Sequence, residues 1–348
     1  MKTADLLLGL MLGVISGLLS GSSGAFLKKI KVWAWENIWL AYSIWALLFL
    51  PAMLAWATVP RLPQVLSAAP LDTLIAVFLC GIGWGCATVG FALGIRDIGL
   101  ALTSVIVIGL GNAAGTLFPL LLDQPGSLIR PAGLTICGGV LLTVCGIILC
   151  SGAALRTEKS LAPRAPDAQD AQDMPHQDVR VKGILICVLS GLLSILFNLG
   201  LIFGKPLAQE AALAGAAPQY AANAAWLILL GGGFSVMIGY CLYRVVKQKS
   251  QPLFWLPGTG INWLHIGGMG LVWLAGVLFY GMSVTRLGRL GPAIGWPIFQ
   301  CIQIAAANFW GAATGEWRGA DRMARRMRRA GLILLFGGIA VIGWAGKL

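Results

Sequence analysis

The chain has 348 residues, of which 58% are hydrophobic and 11% charged, and its mean hydropathy is +0.83. Soluble domains carry about a quarter charged residues, so this composition excludes a soluble globular protein and indicates a polytopic membrane protein. The net charge of +12 does not indicate a nucleic-acid partner, because the lysines and arginines fall in short clusters between apolar runs rather than along one face.

A helical crossing needs about 20 apolar residues and satisfies its own backbone hydrogen bonds. On that measure ten spans are expected, near 5–27, 37–59, 72–95, 98–122, 131–151, 183–204, 221–246, 262–285, 290–314 and 330–346. The first resembles a signal peptide behind Lys2, but its apolar run is longer than a typical signal core and a basic loop and second span follow, so it is read as a helix. Between the fifth and sixth spans lies a polar stretch, 152–182, with Pro163, Pro166, Pro175 and no apolar period. It is expected to be a flexible cytoplasmic linker between two five-span halves, 1–151 and 183–348. His176, Asp173 and Asp178 sit close together there, but without a second histidine or a cysteine nearby they are read as solvated rather than as metal ligands. The eight cysteines all fall inside apolar segments with no C-x-x-C pair, which suits small core residues.

Basic residues assign orientation. With the termini outside, the inner loops collect Lys28, Lys29 and Lys31, then Arg96, then Arg156, Lys159, Arg164, Arg180 and Lys182, then Arg244, Lys247 and Lys249, and finally Arg318, Arg322, Arg325, Arg326, Arg328 and Arg329. Only Lys2, Arg61, Arg130, Lys205, Arg286, Arg289 and Lys347 remain on the other side, so the positive-inside rule places both termini outside the cell membrane and the linker in the cytoplasm.

The halves repeat one another. Shifting the sequence by 189 residues lays Gly81, Trp84, Phe91 and Gly99 on Gly270, Trp273, Tyr280 and Gly288, and Gly17–Ser20 (GLLS) recurs at Gly191–Ser194. An odd number of spans per half inverts the second relative to the first. The expected fold is therefore an all-α membrane protein of ten transmembrane helices in two inverted five-helix repeats, a transporter arrangement with its site near the midplane.

No carboxylate falls in the middle of a span. Outside the linker the acids are Asp5, Glu36, Asp72, Asp97, Asp123, Glu210, Glu316 and Asp321, each near a helix end or in a loop. Glu36 opens the second span, where its charge suits the helix dipole; it is also the candidate for proton coupling. Uncharged polar and aromatic groups inside the spans are more informative. Trp296, Gln300 and Gln303 recur at i, i+4 and i+7 in the ninth span and share one face, beside Pro297, which withholds a backbone donor. Trp273 and Tyr280 are seven apart in the eighth span, Trp84 and Phe91 hold the repeat-equivalent places, and Asn112 and Asn198 add amides in the fourth and sixth. Aromatic faces suit the C–H surface of a sugar ring, and amides supply both donors and acceptors for its hydroxyls. The same residue types also glue helices together or sit in interfacial belts. The substrate-binding candidates are Trp84, Asn112, Asn198, Trp273, Tyr280, Trp296, Gln300 and Gln303. Glycine runs at Gly81–Gly85, Gly109–Gly115 and Gly231–Gly233 would let helices approach closely.

The loop Lys28-Lys29-Ile30-Lys31-Val32-Trp33-Ala34-Trp35-Glu36 resembles the bacterial L-rhamnose/proton symporter family of the drug/metabolite transporter superfamily. So do Gly81–Gly85 with Arg96 and Gly99, Gly115-Thr116 and Pro119, Lys205-Pro206, Gly231–Gly233 and Glu316-Trp317. The resemblance implies ten helices in inverted repeats, both termini outside, and proton-coupled uptake of a 6-deoxyhexose through the inner membrane. The partners expected are a sugar, protons and membrane lipid, with no nucleic acid, cofactor or metal. An exporter of drugs or metabolites, or an uncoupled facilitator, is the alternative. An enzyme would want a carboxylate, histidine or cysteine cluster inside the membrane, and the sequence has none.

Overall fold

The computed structural model describes residues 3–123, 126, 129–161, 177–288 and 291–345. Among these residues the chain is helical, with no strand. The helices run in order α1 Thr3–Ser23, α2 Trp35–Tyr42, α3 Leu50–Thr58, α4 Leu62–Ala68, α5 Leu71–Ile98, α6 Leu100–Asp123, α7 Pro131–Leu161, α8 Gln177–Leu193, α9 Leu196–Phe203, α10 Lys205–Leu213, α11 Asn223–Lys247, α12 Gly260–Leu287, α13 Gly291–Ala313 and α14 Arg322–Ala345. A 3-10 segment, Gly24–Lys29, extends α1, and a π-helical segment, Ser43–Phe49, joins α2 to α3. Pro51 follows that segment by two residues and has no N–H to return to the Leu47 carbonyl, which is a local reason for the ladder to widen there.

Nine stretches of the described residues are long and apolar enough to cross a membrane: Ala4–Lys29, Trp35–Thr58, Leu71–Ile98, Leu102–Leu121, Pro131–Thr157, Val181–Leu213, Asn223–Lys247, Gly260–Leu287 and Arg322–Ala345. They correspond to nine of the ten expected spans, and the protein is a multi-pass membrane protein. The remaining expected span is α13, which has the length, at 23 residues, but not the hydropathy. Its first nine residues, Gly291–Phe299, are all buried, so this glycine-, proline- and aromatic-containing stretch faces protein rather than lipid. Elsewhere large apolar side chains point outward, as Leu134, Leu141 and Ile148 do at seven-residue spacing along α7.

The polar stretch 152–182 is less irregular than its composition suggests. Helix α7 continues to Leu161 and α8 begins at Gln177, so both its ends are helical, while His176, Asp173 and residues 162–176 as a whole lie outside the described residues.

Two compact units emerge, each assembled from both halves of the sequence. The first comprises Met1–Cys86 and Leu196–Ala307, and the second Ala87–Ile195 and Asn308–Leu348. In the first unit α1 lies along α12 and α13, and the reason is a glycine at every fourth position. A Cβ on Gly17 would meet the Ile302 Cβ at 2.6 Å and the Phe299 carbonyl at 2.8 Å, and one on Gly21 would strike the Gln303 carbonyl. Only a glycine face admits this approach, which the Ser283 hydroxyl secures by donating to the Gly9 carbonyl at 2.7 Å. An apolar cluster of Val59, Leu62, Val65, Leu207 and Ala211 packs α4 and α10 against the ends of α3 and α11. In the second unit α7 pairs with α14 through Gly146 against Gly331 and Gly139 against Gly338, and α6 joins α7 where the Asn112 amide donates to the Thr143 hydroxyl at 2.8 Å.

Candidate functional site

The first unit concentrates aromatic rings from six helices into one connected cluster. Its placement begins with glycines. A Cβ on Gly81 would collide with the Leu229 carbonyl and one on Gly232 with the Phe78 carbonyl, so α5 and α11 touch backbone to backbone. The next residue, Gly233, leaves room for an indole: a Cβ there would lie 2.8 Å from Cε3 of Trp84. The close helix approach expected of these glycine runs is thus present, and it seats Trp84.

From Trp84 the contacts spread outward. Its ring lies parallel to that of Trp273 (centroids 6.1 Å apart, planes at 15°) and tilted against Phe197 at 5.0 Å. Phe197 touches Trp226 at 5.0 Å and Trp296 at 5.9 Å, and Tyr280 meets Trp296 and Phe299 at 5.9 and 5.2 Å. On the other side Trp273 meets Tyr42 at 6.1 Å, Tyr42 meets Trp39 at 5.3 Å, and Trp39 meets Trp35 at 6.1 Å. The rings therefore form a continuous path from the start of α2 to the middle of α13.

The site candidates divide by exposure within this cluster. Tyr280 and Asn198 are fully buried, and the Tyr280 hydroxyl donates to Asn198 Oδ1 while Asn198 Nδ2 donates to the Pro292 carbonyl at 3.4 Å. This chain ties α12 and α9 to the start of α13. Trp296 is 3% exposed, its ring enclosed by Phe197, Tyr280 and Phe299. These three residues hold the frame. Trp84, Trp273, Gln300 and Gln303 are only half-buried and retain open surface. Two parallel indoles 6.1 Å apart leave no room for a ring between them, so a ligand would use the open side of the pair. The side-chain amides of Gln300 and Gln303 make no hydrogen bond among the described residues, and they follow Trp296 along one face of α13. Asn112 belongs to the second unit, where its Nδ2 is engaged by Thr143 and its buried Oδ1 has no partner.

Glu36 lies in the first turn of α2, 4% exposed. The dipole reading is sound as far as it goes, but a cation also faces it. Arg244 in the last turn of α11 brings Nη2 to within 3.9 Å of Glu36 Oε2. That distance leaves the pair loosely joined, and Arg244 Nε is buried without an acceptor. Next to Glu36, the Asn37 amide donates to the Ser250 carbonyl at 2.9 Å and leaves its own Oδ1 unpartnered. Two unpartnered polar atoms, Arg244 Nε and Asn37 Oδ1, thus belong to residues beside a buried carboxylate.

Sequence reasoning did not single out Phe197, Trp226, Phe299, Tyr42 or Arg244. Arg244 was legible only as one of a topological cluster of cations. The rings carried a weaker signal: in an apolar chain a phenylalanine beside Asn198 is indistinguishable from lipid-facing surface until its neighbours are known. Trp226 is 1% exposed with its Nε1 donor unpartnered, lying against Gly281, where a Cβ would come within 2.9 Å of that nitrogen.

A family model described as L-rhamnose-proton symport protein matches residues 2–346. L-rhamnose-proton symporters of Escherichia coli strains 55989 / EAEC and SMS-3-5 / SECEC are each 26% identical over 324 residues, covering 91% of this chain and 91% of their own. These relatives are transporters, not enzymes, and being named symporters they do not favour an exporter or an uncoupled facilitator. A solved structure described only as a protein crystal structure superposes with a TM-score of 0.55 over 96% of this chain and 95% of its own, at 15% identity, a likeness that bears on the fold alone.

Proposed function

We propose that this chain, which belongs to the L-rhamnose-proton symport protein family, takes up L-rhamnose or a closely related 6-deoxyhexose together with protons. The observations that carry the reading in this chain are the half-buried, parallel Trp84–Trp273 pair and, in the same unit, two half-buried amides without internal partners. A deoxyhexose has one face rich in C–H groups, including its methyl, and a rim of hydroxyls. Stacking on Trp273 or Trp84 suits the first, and Gln300 and Gln303, each able to donate and accept, suit the second. Burial of an unpaired amide in a span is costly unless a substrate or water completes it. Trp296, Tyr280 and Asn198 position these groups from beneath. Asn112, engaged by Thr143, is not needed for this reading.

Glu36 is the coupling carboxylate of this proposal. A proton on Glu36 neutralises it and weakens its hold on Arg244; loss of the proton restores the pair. Of the titratable and charged groups beside it, Arg244 and Cys241 lie on α11. Transport proceeds by alternating access between two inverted five-span repeats, 1–151 and 183–348, with α13 as the tenth crossing segment, both termini outside and the 152–182 stretch in the cytoplasm of a bacterial cell. The superfamily assignment to drug/metabolite transporters belongs to the same reading.

The test is uptake of labelled L-rhamnose into proteoliposomes carrying an inward proton gradient. Accumulation above the external concentration, abolished by a protonophore, supports the proposal. Equilibration without accumulation overturns the coupling, and failure of rhamnose to enter overturns the substrate.

A further inference from the structure

The start of α14 carries a charge pattern that transport does not use. Its first two turns hold Arg322, Arg325, Arg326, Arg328 and Arg329. Four of these, Arg322, Arg325, Arg326 and Arg329, recur at i, i+3, i+4 and i+7, so they share one face about 10 Å long, and all four are exposed. Among the described residues none of the four forms an ion pair, and their one side-chain hydrogen bond is Arg325 Nε to the Ala320 carbonyl at 3.0 Å. The neighbouring carboxylate, Asp321, is already engaged: it accepts from the Ala324 N–H and from Arg156 Nε, each at 2.6 Å. Arg328 stands apart, its guanidinium 4.6 Å over the Trp317 ring.

This arrangement works against the helix that carries it. Like charges at i, i+4 repel, and cations in the first turn oppose the helix dipole. Topology requires basic residues near this end, but not on a single face. The same face continues C-terminally into apolar surface: Ile333 and Phe336 follow Arg329 at i+4 and i+7, and are 70% and 50% exposed. In the same unit, exposed Phe309 and Trp310 at the end of α13 lie with ring centroids 5.8 Å apart, residues suited to the headgroup level. One face that passes from guanidiniums to open hydrocarbon has the polarity profile of a phospholipid.

We propose that Arg322, Arg325, Arg326 and Arg329 bind the phosphates of anionic phospholipid, whose acyl chains run along Ile333 and Phe336. Guanidinium forks take phosphate oxygens in pairs, and four on one face can hold two phosphates, from one diphosphatidyl lipid or two neighbouring lipids. The proposal stands apart from the identity of the transported substrate.

The test uses the full chain purified in detergent, with its thermal midpoint read from intrinsic tryptophan fluorescence. Cardiolipin or phosphatidylglycerol raises the midpoint by about 2–4 °C, whereas phosphatidylcholine of the same acyl chains and sodium phosphate at equal phosphate concentration do not. Replacing all four arginines by glutamine removes the shift. Because that variant can fail to insert, the double variant Arg326→Gln/Arg329→Gln, which keeps Arg318, Arg322, Arg325 and Arg328, is measured beside it and loses most of the shift. The proposal is overturned if anionic lipid leaves the wild-type midpoint unchanged, if the double variant keeps the full shift, or if sodium phosphate alone reproduces it, since the ligand is then a soluble anion.

Discussion

Replacing Gln300 and Gln303 together by methionine separates substrate contact from helix glue. Methionine keeps the length and most of the volume of glutamine while removing both hydrogen-bonding atoms. Neither amide has a hydrogen-bonding partner among the described residues, so the substitution breaks no internal bond and leaves the thermal midpoint at or slightly above that of the wild type. If each amide holds one sugar hydroxyl, two neutral hydrogen bonds at about 0.5–1.5 kcal/mol each are lost, or about 1–3 kcal/mol together. At about 1.4 kcal/mol per tenfold, KM for L-rhamnose rises roughly 5- to 150-fold. The assay is initial-rate uptake into proteoliposomes over a range of rhamnose concentrations, with the thermal midpoint measured on the same preparation. An unchanged KM at an unchanged midpoint refutes the reasoning, because the amides then touch neither sugar nor protein. A midpoint lowered by several degrees with normal KM makes them interhelical glue instead.

Further outcomes follow from the same contacts. Gly233→Ala drives a methyl into the Trp84 ring, 2.8 Å away at Cε3, and displaces the indole; rhamnose affinity falls while Gly231→Ala, which meets nothing within 4 Å, transports normally. Tyr280→Phe leaves the frame one donor short at Asn198 and lowers stability by about 1–3 kcal/mol, read as a drop in thermal midpoint. Gly21→Val forces α1 away from the Gln303 carbonyl and destabilises the chain, whereas Gly24→Ala, with open space around it, stays close to wild type. The Ala324 N–H, followed by Arg156, holds the Asp321 carboxyl below its ordinary range. Its stabilising contribution is therefore complete above the unfolded value of about 3.9 and disappears as pH falls through the lower folded value, so Asp321→Asn weakens the dependence of the midpoint on pH in that acid window.

Much of this architecture is legible in the sequence because membrane insertion imposes length and hydropathy on each span. The exception, α13, is instructive: Gln300, Gln303 and Trp296 lower its hydropathy, which a crossing helix tolerates because its first nine residues are buried in protein. The helical ends of the 152–182 stretch were not legible, since a polar helix extending beyond the membrane has no apolar period to announce it. The glycine face of α1 was present in the text at Gly9, Gly13, Gly17 and Gly21 but acquires meaning only against Ile302 and Gln303. Within the candidate site, residue type identified the aromatic and amide groups, whereas their division into frame and open surface depends on long-range contacts such as Tyr280 with Asn198. The partner of Glu36 was hidden for a related reason. Arg244 is more than two hundred residues away, and its position beside a buried acid is a product of how α2 meets α11.

The most direct test of the coupling account is proton movement driven by sugar. Proteoliposomes containing an entrapped pH dye receive L-rhamnose with no imposed gradient. The account predicts internal acidification that tracks rhamnose entry in the wild type, and rhamnose exchange without acidification in Glu36→Gln. Rhamnose entry without acidification in the wild type, or undiminished acidification in Glu36→Gln, contradicts it.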